Sequence, residues 1–168
     1  MQADDLRLLH EWLQRPHVRR WCSTQETYQE VVEYYLPAIE GAEATDLYVA
    51  LLDDRPVGFL QTYLLVDYPE HASVLAGGDG AAGVDLFIAD EELTGRGIGS
   101  EMLRRFVSEI VFATPTTRCC IADPEAENVA SIRAFEKAGF HVVKEFLDLR
   151  DGKRHAIVSL DRRSPRIV

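Results

Sequence analysis

The stretch Val84-Asp85-Leu86-Phe87-Ile88-Ala89, followed by Thr94-Gly95-Arg96-Gly97-Ile98-Gly99-Ser100-Glu101, combines two kinds of chemistry. Asp85 is an acid set in an apolar, strand-like run, where a carboxylate held partly out of water can accept a proton. Alternating glycines then open into an amphipathic helix. Glycine lets backbone N–H groups approach a ligand, and a helix N-terminus favours negative charge. The pairing points to an enzyme that holds a phosphate-bearing cofactor beside a general base. Each half has a plainer alternative: a solvent-facing Asp85 on an edge strand, and an ordinary strand-to-helix turn at the glycines. The turn is not a Walker A loop, because no Lys-Ser/Thr pair follows it, and its spacing breaks the G-x-G-x-x-G dinucleotide fingerprint.

The elements that must position these residues follow from periodicity. Residues 4–12 read as an amphipathic helix capped by Asp4 or Asp5. Residues 24–39 read as a second helix, capped by Ser23 or Thr24 and weakened near Pro37. Strands are predicted over 46–52 and 56–66, joined by Asp53-Asp54-Arg55, and residues 67–82 read as a loop. A strand over 83–89 leads through the glycine turn to a helix over about 98–112. A short buried strand over 118–122 ends at Asp123-Pro124, and a helix over 128–138 closes at Gly139, which suits a left-handed C-terminal position. A hairpin over 141–149 and 155–160 turns around Asp151-Gly152. This order predicts an α/β fold, a mixed sheet with helices on its faces, in one domain over residues 1–168.

Composition narrows the partners. The net charge is −10, from 28 acidic and 18 basic residues. Nucleic acids and anionic membranes demand a basic face, so neither is expected as a partner. A cationic small molecule is the sharper reading of the acidity; solubility alone is the plainer one. No apolar run approaches the roughly 18 residues of a membrane span, and the acidic start is unlike a signal peptide. Cys119 and Cys120 are adjacent and do not resemble a disulfide framework, which suits the cytoplasm. His10, His17, His71, His141 and His155 show no ligand spacing, so no metal is expected.

Several blocks carry a resemblance. Asp85, the turn Gly95-Arg96-Gly97-Ile98-Gly99, Asn128-Val129-Ala130-Ser131 and Phe135-Glu136-Lys137-Ala138-Gly139-Phe140 resemble the GCN5-related N-acetyltransferase superfamily. Tyr35-Leu36-Pro37, Gly58 to Tyr63, Gly83 to Asp90 and Asp123-Pro124 resemble the aminoglycoside 6′-N-acetyltransferases within it. The resemblance implies a mostly antiparallel central sheet flanked by helices. It implies acetyl-coenzyme A as co-substrate, transferred directly to the 6′-amine of an aminoglycoside, an activity that confers antibiotic resistance. The turn from Gly95 through Ser100 would then hold the pyrophosphate. N–H groups near Phe87 and Ile88 would polarise the thioester, and Asn128, Ser131 and Phe135 would lie along the pantetheine arm. Asp85 would serve as base and ammonium anchor, with Gln61, Tyr63 and Asp123 lining the acceptor site.

A polycationic acceptor needs several carboxylates, and Glu43, Asp67, Glu70, Asp79, Asp123 and Asp151 are candidates; each is equally readable as a solvated surface acid. Trp21, Tyr35 and Tyr63 could stack on sugar rings, with core packing the alternative for Tyr35. Capping is the alternative for Asn128 and Ser131. Three departures from the family pattern stand out. Phe135 replaces a tyrosine thought to protonate the leaving thiolate, Thr94 replaces Gln or Arg, and Met1 stands almost at the first helix, where the family has an opening strand. If that strand is missing, the sheet loses an edge. Polyamine or protein-amine acetylation, or a non-catalytic acyl-coenzyme A sensor encouraged by Phe135, are the competing functions. Monomer and homodimer are both compatible with the sequence.

Overall fold

A computed structural model describes residues 1–22, 27–75 and 77–162. Six strands hydrogen-bond in the order β1-β2-β3-β4-β6-β5. They are β1 (Thr45–Leu52), β2 (Arg55–Leu64), β3 (Ala81–Ile88), β4 (Cys119–Ala122), β5 (His141–Asp148) and β6 (Lys153–Asp161). β3 and β4 run parallel, whereas β1–β2, β4–β6 and β5–β6 are antiparallel. The helices are α1 (Leu6–Leu13), α2 (Pro16–Arg19), α3 (Tyr28–Ile39), α4 (Pro69–Leu75), α5 (Ile98–Glu109) and α6 (Val129–Ala138). This is the mixed α/β architecture that the element order predicts. The chain groups into two compact units, one of Met1–Tyr63 with Asp85–Gly99, the other of Leu64–Val84 with the chain from Ser100 onward.

In the first unit, Leu6, Leu9 and Leu13 recur at helical spacing on α1 and are buried with Trp12, Val31, Tyr35, Leu47 and Phe59. Aromatic rings form its centre: Phe59 stacks on Phe87 at 5.5 Å, Trp12 meets Phe87 edge-on at 6.2 Å, and Tyr35 meets Phe59 edge-on at 5.7 Å. Asp53 and Asp54 both take positive φ, 49° and 61°, as a two-residue turn matched to strand twist requires. In the second unit, Leu65, Leu103, Val107, Cys120, Ile157 and Val158 are buried. Gly139 ends α6 at φ 105°.

Four boundaries differ from expectation. α1 begins at Leu6, after a 3-10 turn over Ala3–Asp5, and Asp5 acts by accepting from the Gln2 N–H rather than as a simple cap. α3 begins at Tyr28, where Thr27 and Glu30 form a reciprocal capping box; the predicted caps Ser23 and Thr24 lie outside the described residues. Residues 67–82 are not an open loop, because α4 folds there with Leu75 buried, and β2 yields at Leu64 to a 3-10 turn, Leu65–Asp67. A seven-residue helix shows too few turns for its periodicity to register. α5 stops at Glu109, and a 3-10 turn over Val111–Ala113 replaces its last predicted turn. Among the described residues no strand precedes α1, and the Met1 ammonium donates to the Leu47 carbonyl on β1 at 2.9 Å. No helix is long and apolar enough to cross a membrane among the described residues.

Candidate active site

Side chains alternate across a strand, so Phe59, Gln61 and Tyr63 of β2 share one face. Asp85 and Phe87 of β3 lie on the same face, since Phe87 stacks on Phe59 and Gln61 Nε2 donates to Asp85 Oδ2 at 2.8 Å. Asp85 is half-buried, so its carboxylate is not fully solvated, although it lies beyond the stretch of β3 that pairs with β4. Its carboxylate stands at the polar border of the aromatic cluster, with one oxygen oriented by an amide. Tyr35 belongs to the core at 8% exposure; burial pushes its phenol pKa up, with smaller contributions from Tyr34, Cys22 and Asp85. Tyr35 therefore supports this border from behind, and it does not offer a ring to a sugar.

The approach of β2 to β3 is close. A Cβ on Gly58 would fall 2.5 Å from the Phe87 carbonyl oxygen, so only glycine fits there without movement. The end of β3 is held by side chains: Arg15 Nη1 donates to the Ala89 carbonyl at 2.7 Å and the His17 ring meets the Ile88 carbonyl at 3.1 Å. The parallel ladder with β4 covers only Ala81–Gly83 opposite Cys119–Ile121, and β3 runs on through Ile88 beyond it.

After a 3-10 turn over Glu91–Leu93, Gly95 and Gly97 adopt φ 70° and 85°, on either side of Arg96. Left-handed residues alternating with right-handed ones can aim successive N–H groups at one anion, the arrangement called a nest, and positive-φ glycines on either side of Arg96 suit it. Nothing lies within 4 Å of a Cβ placed on either glycine, so their conformation and not packing requires them. The nest is exposed and leads into the N-terminus of α5. Glu101 in that first turn is paired with Arg104 and Arg105.

In the second unit, Asn128 caps α6: its Oδ1 accepts from the Ser131 N–H at 3.1 Å. Its amide NH2 has no partner among the described residues. Phe135 is 3% exposed and packs edge-on against Phe140 at 5.0 Å. Its ring therefore packs into the core at the end of α6.

The predicted acids separate by environment. Asp123 and Asp151 meet through a histidine: His155 Nδ1 lies 2.7 Å from the Asp123 carbonyl oxygen and Nε2 lies 2.9 Å from Asp151 Oδ2. His71 Nε2 lies 3.7 Å from Asp123 Oδ1. Glu43, Glu70 and Asp79 carry exposed carboxylates without hydrogen bonds or ion pairs among the described residues. Trp21 is half-buried with the Arg20 guanidinium 4.6 Å over its ring.

Sequence reading missed His71, Asp148, Arg150 and His155. Asp148 is buried, and Arg150 grips it from Nε at 3.0 and 2.9 Å, from Nη2 at 2.5 Å and through its backbone N–H at 2.8 Å. The Arg150 side-chain bond holds the Asp148 pKa down to about 2, against an ordinary 3.8. A depressed carboxylate stabilises the fold above its unfolded pKa and loses that contribution as pH falls toward its folded value. The loss should be on the order of 2 kcal/mol. Urea midpoints at neutral pH and near pH 3 will show about half of it, because pH 3 lies between the folded and unfolded values, and Asp148→Asn should flatten this acid limb.

The histidines also have more company than their spacing suggests, since ligand atoms of Asp148, Asp151 and His155 lie within 4.8 Å of one another. These residues do not fit a metal, because Arg150 occupies both Asp148 oxygens and Asp151 is taken by His155.

Residues 2–147 match the acetyltransferase (GNAT) domain family. The chain belongs to this family. Aminoglycoside N(6′)-acetyltransferase type 1 from Klebsiella pneumoniae is 33% identical to this GNAT chain over 143 residues, which cover 83% of the chain and 71% of that protein. The aminoglycoside acetyltransferase AAC(6′)-Ib in complex with coenzyme A and kanamycin superposes with a TM-score of 0.84 at 30% identity, over 96% of this chain and 92% of that one. The same enzyme with ribostamycin and coenzyme A gives 0.84 at 29%, over 96% and 90%. Those solved complexes contain coenzyme A and an aminoglycoside.

Proposed function

We propose that this chain transfers acetyl from acetyl-coenzyme A to the 6′-amine of aminoglycosides, and so confers resistance to them. The observation that carries the reading is Asp85, half-buried and oriented by Gln61 on the strand that leads to the anion nest. An alkylammonium has a pKa of about 10 and cannot attack a thioester until it loses a proton. Asp85 holds the cation and then accepts that proton, directly or through water. Backbone N–H groups near Phe87 and Ile88 polarise the thioester oxygen, which becomes the oxyanion of the tetrahedral intermediate as nitrogen adds to the carbon. The adduct nitrogen sheds its second proton to water as the C–S bond breaks, giving the amide, and coenzyme A leaves as thiolate, which takes its proton from water, since Phe135 has no hydroxyl.

The nest from Gly95 to Gly97, with Ile98, Gly99 and Ser100 at the head of α5, suits the pyrophosphate. The free amide of Asn128, and Ser131 one turn on, suit the pantetheine arm. Trp21, Glu43, Gln61 and Tyr63 of the first unit, and Glu70, Asp79, Asp123 and Asp151 of the second, are assigned to the acceptor by the same reading. Residues 1–168 are read as one acetyltransferase domain, since the family match runs through both compact units. A cytoplasmic location follows as part of the same reading.

The test is coenzyme A release, followed with a thiol reagent, with kanamycin, tobramycin, spermidine and a lysine peptide offered in parallel. Turnover with the aminoglycosides is expected. Turnover restricted to spermidine or the peptide would replace the acceptor, and cofactor binding with silence on every amine would leave a sensor.

Gly97→Ala separates cofactor from fold. The new methyl meets nothing, yet φ 85° costs a β-carbon about 1–2 kcal/mol, so the nest should distort. The KM for acetyl-coenzyme A is expected to rise about tenfold, with the KM for kanamycin unchanged.

A further inference from the structure

His155 on β6 contacts two acids that lie far apart in the chain. Its Nδ1 and Nε2 both face oxygen acceptors, the Asp123 carbonyl and Asp151 Oδ2, and only an imidazolium carries a proton on each nitrogen. Burial of the ring opposes the charge, but the bonds to Asp123 and Asp151 outweigh it, so its pKa stands above the ordinary histidine value. Charged and aromatic groups surround it on every side. From β5 come Asp148, clamped by Arg150, and the Phe146 ring at 5.7 Å. Glu125 pairs with the His155 backbone and takes Lys153 on its carboxylate, and from α4 His71 approaches Asp123.

We propose that His155 is a positioning residue for the acceptor site: as an imidazolium it holds the Asp151 carboxylate and the Asp123 main chain in one arrangement that receives a polycationic substrate. This rests on the aminoglycoside reading above. A neutral ring keeps one N–H, so one of its two contacts becomes a lone pair facing an oxygen. Asp151 is the side that yields, because it is exposed in a turn beside Gly152 at φ 73°. Acceptor affinity therefore weakens as pH rises through the titration of His155.

Aminoglycoside amines also shed protons on that path, so the comparison must be between variants. Steady-state kinetics with kanamycin at about pH 6 to 9 should be run on the wild type, His155→Gln and His155→Leu, with melting temperatures alongside. His155→Leu is expected to raise the KM for kanamycin about tenfold, with kcat and the KM for acetyl-coenzyme A nearly unchanged. His155→Gln supplies one donor and no charge, so at every pH it should behave as the wild type does at high pH. A wild-type KM profile that persists in His155→Gln overturns the proposal, as does a loss shared equally by kcat and both KM values. Absence of wild-type turnover with any aminoglycoside would instead sink the functional reading. Carbon-detected NMR still decides the positioning in that event: Asp151 and Asp123 resonances should shift with the His155 midpoint, and a His155 titration that leaves them unmoved refutes it.

Discussion

Asp85→Asn is expected to lower kcat for acetyl transfer to kanamycin by about 10²- to 10⁴-fold, the range for loss of a general base. The substitution keeps the shape, and the amide oxygen can still accept from Gln61 Nε2, so the β2–β3 contact at 2.8 Å survives. It removes the negative charge that holds the ammonium and the lone pair that takes its proton. Melting temperature should therefore stay close to wild type while turnover collapses. A rise in the KM for kanamycin is expected as well, because an uncharged side chain no longer anchors the cation. If the variant retains wild-type kcat, the base lies elsewhere and Asp85 is only a structural partner of Gln61.

Gly58→Ala should be nearly as damaging, though no reacting group changes. The new methyl would sit 2.5 Å from the Phe87 carbonyl oxygen, and both partners are backbone, so β2 and β3 must move apart. Phe59 and Gln61 follow Gly58 on β2, and Asp85 precedes Phe87 on β3. The separation therefore reaches the stacked rings and the Gln61–Asp85 bond together. Overpacking of this kind costs about 1–3 kcal/mol of stability. A displacement of about 1 Å at a reacting group can cost about 10²-fold in rate. Urea unfolding together with kcat/KM will separate the two effects, and a variant with wild-type values of both would show that the strands have slack.

Local chemistry was legible wherever a few adjacent residues decide it. The Asp53-Asp54 turn, the Asn128 cap and the Gly139 stop of α6 lie where the residue types require. α2 and α4 were not legible, because four and seven residues give too little period, and their amphipathic pattern becomes visible only once Val18 and Leu75 are seen to be buried. The second helix was placed too early for a related reason. Ser23, Thr24 and Thr27 can all cap, and only the reciprocal bond with Glu30 selects Thr27.

The candidate site divides in the same way. The placement of Asp85 in an apolar strand and of the glycine turn before a helix is legible from type and spacing, since both are contiguous signals. Tyr35 and Phe135 are ambiguous in sequence, because an aromatic residue looks the same whether it faces a ligand or a core, and the structure buries both. His155 was dismissed for want of ligand spacing, yet the β5–β6 hairpin brings it to Asp151, and the segment after β4 brings it to Asp123.

The chain by itself therefore determines its class, its strands and longer helices, the glycine turn before α5 and its acetyltransferase kinship, all written in short-range pattern. Tertiary structure alone decides that Gln61 orients Asp85, that Gly58 lets their strands approach, and that His155 joins Asp123 to Asp151. Those contacts depend on strand register. A shift of one residue would turn each side chain to the opposite face, and register is set by burial of the whole sheet rather than by any local run.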